Sequence, residues 1–218
     1  MIIHQVRDEL GSSLWGSMHP CEPLSPLPMP DYEGRRIILE HPTAVQSSLR
    51  LGCPLVDRAH PDFAALKVLV TVLGGYFGSR LMSNIREEKG YTYGISASIA
   101  SFPFQGYLAI GTETDNEYVE PCIREVKYEM RRLQEELIPE QELSMVKNYM
   151  IGEMCRNYED PFSLSDAWIF VKTAGLENNF FQTLAEKIRR VKAEELRDLA
   201  FRYFQSENMI EVVAGKKM

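Results

Sequence analysis

Polar and apolar positions switch between a period of two and a helical period four times along this chain. Residues Arg35 to Glu40 and Ala44 to Leu51 read as β-strands. The second sets Val45, Ser47, Leu49 and Leu51 against Gln46, Ser48 and Arg50, giving one largely apolar face. Pro61 with Asp62 behind it predicts a helix start, and Phe63, Leu66, Leu69, Val70 and Leu73 follow at helical spacing as far as Gly74-Gly75. Ser79 is the expected cap of a second, short helix carrying Leu81, Met82 and Ile85, which Gly90 closes. From Tyr91 to Ser101 the period returns to two, with Tyr91, Tyr93, Ile95, Ala97 and Ile99 on one side. Phe102-Pro103-Phe104-Gln105-Gly106 then reads as a hairpin connection into a strand over Tyr107 to Thr112.

Beyond this point the pattern is helical. Helices are predicted over Glu117 to Glu135, from Pro139 onward (Leu143, Val146, Met150 and Met154 on one stripe), and over Ser163 to Ala174, Phe180 to Val191 and Ala193 to Phe204. A last strand runs from Met209 to Ala214. Strands first, helices next and one strand last describe an α+β fold, a mostly antiparallel sheet of about five strands packed against helices. The first thirty residues differ. Pro20, Pro23, Pro26, Pro28 and Pro30 follow at short intervals, so residues 1–31 read as a proline-rich interdomain linker, with Val6 to Gly11 as the end of a preceding helix. The compact domain is then 32–218.

Composition narrows the function. A chain of 218 residues with 44% hydrophobic and 25% charged residues can bury a sizeable core, and no apolar run approaches membrane-spanning length. The net charge of −7 argues against nucleic acid as the main partner, and Arg131-Arg132 and Arg189-Arg190 lie in helical patterns beside Glu, as solvated faces do. Cys21, Cys53, Cys122 and Cys155 are far apart, without a Cys-x-x-Cys pair.

His4, His19, His41 and His60 are widely separated, and none is paired at i and i+4 on a helix, so no zinc site is expected within the chain. Gly74-Gly75-x-x-Gly78 lacks the Gly-Lys-Ser/Thr ending of a phosphate loop and reads instead as a flexible joint in which glycine permits positive φ. No Gly-x-Ser-x-Gly elbow occurs. By residue type alone, Arg86 suits a helix C-terminus and Tyr93, sharing a face with Ile95 and Ala97, suits a core.

The segment Leu73-Gly74-Gly75-Tyr76-Phe77-Gly78-Ser79-Arg80-Leu81, running on to Ile85-Arg86-Glu87-Glu88-Lys89-Gly90-Tyr91-Thr92-Tyr93-Gly94, nevertheless closely resembles a signature of the pitrilysin/insulinase (M16) zinc peptidases and the related mitochondrial processing peptidases. The likeness extends to Val45 through Gly52, to Glu142-Leu143 and Lys147-Asn148, and to Val212 through Gly215, covering most of residues 35 to 215. The His-x-x-Glu-His zinc motif of the family's catalytic half is missing from the sequence. The resemblance is therefore to the C-terminal, non-metal-binding half, a unit of the M16 and LuxS-like metallohydrolase fold.

Several expectations follow from the resemblance. Arg86 and Tyr93 are the catalytic candidates, presented to the backbone of a peptide substrate. No cofactor is expected in this chain, because zinc belongs to the partner catalytic half, which lies on the same polypeptide or on a separate subunit. The function implied is closing the cavity of a zinc metalloendopeptidase. Two alternatives stand beside it: a catalytically silent scaffold, and a subunit paired with a separately encoded zinc subunit. Apolar surface should be left exposed where the partner packs, with homo-oligomerisation as one outcome. The chain alone is expected to bind no stoichiometric zinc and to hydrolyse no peptide. Metal analysis of protein purified without affinity-tag histidines checks this, and one tightly held zinc per chain would contradict it.

Overall fold

The computed structural model describes residues 34–216, together with Asp8, which is helical and exposed. The linker expected over residues 1–31 otherwise lies outside the described residues. Five strands form a single sheet: β1 (Arg35–Glu40), β2 (Gln46–Leu55), β3 (Thr92–Phe102), β4 (Gln105–Asp115) and β5 (Ile210–Gly215), in the order β1-β5-β2-β4-β3. Only the β1–β5 pairing is parallel. The α+β class and the mostly antiparallel sheet therefore agree with the sequence pattern.

The limits of β2 and of the β3–β4 connection differ from expectation, each for a physical reason. Val45 precedes β2 and is 85% exposed, whereas β2 continues four residues past Leu51, to Leu55. Pro54 hides that extension, since proline is unwelcome inside a ladder. It is accommodated because β5 pairs with β2 only from Ser48 to Gly52, so beyond Gly52 the strand is bonded on one side. The β3–β4 connection is also tighter than expected. It contains just Pro103 and Phe104, with Phe104 at φ 69°, and Gln105 already pairs with Phe102.

One face of the sheet carries Leu49, Leu51, Cys53, Leu108, Ile110, Ile95 and Ala97, all buried. Helix α1 (Phe63–Gly74) lies on this face against β3, and Leu66, Val68, Leu69, Val72 and Leu73 are fully buried there. Each such side chain contributes about 1.5–3 kcal/mol by leaving water. Helices α2 (Val119–Glu135), α3 (Glu140–Arg156), α4 (Pro161–Thr173), α5 (Phe180–Arg190) and α6 (Ala193–Tyr203) complete the layer. Asp62 sits at the N-cap of α1, but its carboxylate is taken by Arg202 and Tyr203 of α6, each at 2.9 Å. Pro161 opens α4 with Asp160 as its true cap, accepting from Phe162 and Ser163.

Helix α4 is anchored by little more than Ala167 and Val171. Phe162, Leu164, Trp168 and Ile169 stand largely in solvent. Helix α4 thus presents apolar side chains to solvent.

At the opposite edge, Glu211 of β5 joins three elements. Its carboxylate accepts from Arg36 of β1 at 2.8 Å and from Lys127 of α2 at 2.6 Å. Burial by itself would raise the Glu211 pKa, but the hydrogen bonds from Lys127 and Arg36 outweigh it and hold the carboxyl below its ordinary value. A carboxyl depressed in the folded state stabilises the fold above the unfolded value of about 4.3, and that stabilisation is lost as pH falls through the folded value. Glu211→Gln should therefore lower unfolding stability by about 1.5–3 kcal/mol near pH 7. The gap between variant and parent should shrink below about pH 4, as urea titrations over a pH series would show.

Candidate functional site

The site begins where α1 ends. A Cβ on Gly74 would stand 2.6 Å from the Ala97 nitrogen, and one on Gly75 the same distance from Thr71 Cα. Among the described residues positive φ occurs in Gly90, Gly175 and Phe104, so the glycines of this joint supply space rather than a left-handed backbone. Their absent side chains let α1 rest directly on β3 and turn sharply. The flexible-joint expectation is corrected accordingly.

After the joint, Arg80 and Leu81 begin a helical turn that widens into a π-helix over Met82–Glu88. The expected Ser79 cap is absent: its hydroxyl is buried without a hydrogen-bond partner, and its carbonyl accepts from Ser83. The segment is held from the helix layer instead. Arg80 makes two hydrogen bonds, 2.9 and 3.0 Å, to Glu142 of α3. Asn84 Nδ2 donates to Glu129 at 2.7 Å and to Glu125 at 3.1 Å, both on α2, and Lys89 lies 3.4 Å from Glu125. Glu129 is buried and paired with Arg132. Isolated π-turns recur at functional sites. Here the last turn carries Arg86, while the preceding Ile85 is fully buried. Gly90, at φ 66°, ends the segment as expected.

The chain then enters β3 with a bulge. Thr92 pairs with Thr114 and Ile95 with Thr112, so three steps on β3 oppose two on β4. The extra residue inverts the alternation. Thr92 takes the helix side, and Tyr93, expected on the same face as Ile95 and Ala97, is turned outward and is 93% exposed. That part of the alternation is corrected by the bulge. Threonine hydroxyls stitch it together: Thr92 Oγ1 lies 2.6 Å from the Glu113 carbonyl oxygen and accepts from Gly94 N–H at 3.1 Å, and buried Thr112 Oγ1 lies 2.7 Å from Thr92 Oγ1.

Helix end and bulge bring the two candidates together. Arg86 Nε donates to the Tyr93 carbonyl at 2.9 Å, and the guanidinium carbon sits 5.7 Å from the Tyr93 ring centroid and 4.6 Å from that of Phe77. Glu87 is the nearest carboxylate partner, at 3.7 Å. Tyr93 borders a small pocket with Gln46, Glu113 and Asp115. Gly94 and Glu113 also border a depression of about 1000 Å³ across the sheet face opposite the helices. Its floor is made of small residues, including Gly52, Ser96, Ala109 and Gly111, with Tyr107 and Phe102 at the far end. An Arg50–Glu113 ion pair of 2.8 Å crosses it. The sequence pattern missed Phe77, Asn84 and the threonine stitch. The only trace of the stitch is the spacing Thr92, Thr112, Thr114, which means nothing until β3 and β4 are paired.

Among the described residues no group of three or more His, Cys, Asp or Glu side chains is placed to hold a metal ion, and His4 and His19 lie outside them. His60 serves the entry to α1, its Nδ1 accepting from Asp62 N–H at 3.1 Å.

Comparison with known proteins gives the family. The peptidase M16 inactive domain family matches residues 2–150, and the chain belongs to it. A Helicobacter pylori protein named non-peptidase homolog YmxG is 29% identical over 180 residues, covering 79% of this chain and 40% of the relative. A Bacillus subtilis protein named uncharacterized zinc protease YmxG is 27% identical over 133 residues, 61% of this chain and 32% of that protein. The chain thus spans well under half the length of these relatives. Among solved structures, the peptidase M16 inactive domain from Pseudomonas fluorescens superposes with a TM-score of 0.81 at 23% identity, over 89% of this chain and 47% of that one.

Loss of the Thr92 hydroxyl should loosen the bulge before anything else. Thr92→Val should cost about 1–3 kcal/mol, because the Gly94 N–H and the Glu113 carbonyl lose the Thr92 hydroxyl. Equilibrium urea unfolding measures this directly, and an unchanged midpoint would show that the stitch contributes nothing.

Proposed function

We propose that this chain is the substrate-contacting, non-metal half of a two-part zinc peptidase, closing the cavity and holding the peptide backbone through Arg86 and Tyr93. The observation that carries the reading is the juxtaposition of these two side chains at one end of an open sheet face, on a turn and a bulge that have no other evident purpose. The partner half is expected to supply zinc, which polarises the scissile carbonyl and lowers the pKa of a bound water.

What this chain's own residues do follows from their chemistry. With Nε of Arg86 engaged by the Tyr93 carbonyl, its terminal N–H groups remain to donate to a peptide carbonyl or to the oxyanion that develops from it. The Tyr93 hydroxyl is a second donor, on a ring already turned out of the core. Such donors are most effective when oriented before the reaction and shielded from bulk water. A facing half would provide the shielding.

A second reading, a catalytically silent member that pairs with an active zinc subunit or serves as a scaffold, is favoured by the name of the Helicobacter pylori relative. Kinetics of the assembled two-half enzyme separate the two. Arg86→Ala or Tyr93→Phe should lower turnover by about ten- to a thousandfold, the range for losing a transition-state donor. Tyr93→Phe should leave the unfolding midpoint unchanged, since the ring remains and is already exposed. Full activity in both variants would leave the scaffold reading in possession.

A further inference from the structure

Phe77 lies in the glycine joint between two residues whose fates are clear. Tyr76 turns inward, its ring centroid 5.2 Å from that of Tyr149 and so close to Gly78 that a Cβ there would stand 2.9 Å from Tyr76 Cε2. Phe77 points the other way and is 63% exposed. A phenyl ring with that much surface in water gains little from burial. What its ring does face is the Arg86 guanidinium, at 4.6 Å, nearer than the Tyr93 ring and within cation–π range.

We propose that Phe77 is a positioning residue for Arg86, holding the guanidinium over its ring so that the terminal N–H groups face outward, toward a peptide backbone. This rests on the reading of Arg86 as a substrate-contacting donor. The physical reason is one of accounting for donors. A carboxylate could fix the guanidinium as firmly, but it would consume the N–H groups the substrate needs. A flat apolar ring restrains the cation through its π face and accepts none of the in-plane hydrogen bonds. With Nε tied to the Tyr93 carbonyl, the ring removes rotamer freedom from a long side chain that would otherwise be lost on each encounter with substrate.

The contact can be measured without activity. In the 15N-labelled chain, the Arg86 Nε–H resonance should be shifted by the ring and slow to exchange. Phe77→Leu should remove the shift and speed exchange by about two- to fivefold, the range for an exposed cation–π contact, while Phe77→Trp should keep both. In the assembled enzyme Phe77→Leu should lower kcat by a similar factor with KM unchanged, and Phe77→Trp should restore it. Added to Arg86→Ala, Phe77→Leu should cost nothing more, whereas a purely structural role would add its full effect. An unaltered Arg86 resonance in Phe77→Leu overturns the proposal, as does equal impairment by Leu and Trp, or full turnover in Phe77→Leu when Arg86→Ala is crippled. An Arg86→Ala enzyme at full rate would instead overturn the function itself, and the exchange data would still judge the hold on the guanidinium.

Discussion

One additional residue in β3 decides which way Tyr93 points, and the geometry of the site depends on it. In an unbroken strand Tyr93 would share the helix-covered face of Ile95 and Ala97. With the bulge its ring emerges and its carbonyl turns to Arg86. A bulge interrupts a ladder and must be compensated locally, and Thr92 with Thr112 does so by offering hydroxyls where backbone partners are out of register. A side chain is thus re-aimed without disturbing the strands on either side.

Carboxylates are used unevenly across the molecule. On the helix layer Glu125, Glu129 and Glu142 grip the segment from Arg80 to Lys89, and Glu211 with Glu120 ties the β1–β5 edge to α2 through Arg36. These pairs are partly or wholly shielded, so removing one partner would leave an uncompensated charge. On the open face Glu113 is balanced by Arg50. Arg86 is treated differently: its hydrogen bond goes to a carbonyl, two aromatic rings lie against its guanidinium, and Glu87 stands 3.7 Å away, beyond hydrogen-bond distance.

The sheet has the asymmetry of a half-structure. Among the described residues one face carries the helix layer, and the other is floored largely by small residues such as Gly52, Ser96, Ala109 and Gly111 with no helix upon it. Small residues there allow a backbone to approach closely. The apolar surface on α4 is separate from this face. It carries Phe162 and Trp168, both largely exposed.

The sequence by itself determined the class of the fold, the order of its elements, most of their limits and the family. These rest on short-range physics: period two or 3.6, proline at helix starts, Gly90 at a left-handed turn, and a run of residues around Arg86 and Tyr93 that carries its own likeness. It did not show that β2 runs on through Pro54, because the ladder that tolerates the proline comes from strands far away in sequence. Nor did it reveal why Gly74 is glycine, since the atom it must avoid belongs to Ala97. Tertiary structure alone decided the face of Tyr93, the π-turn under Arg86 and the ring of Phe77 over its guanidinium. Each depends on contacts between residues brought together from separate elements, and no local period encodes a contact of that kind.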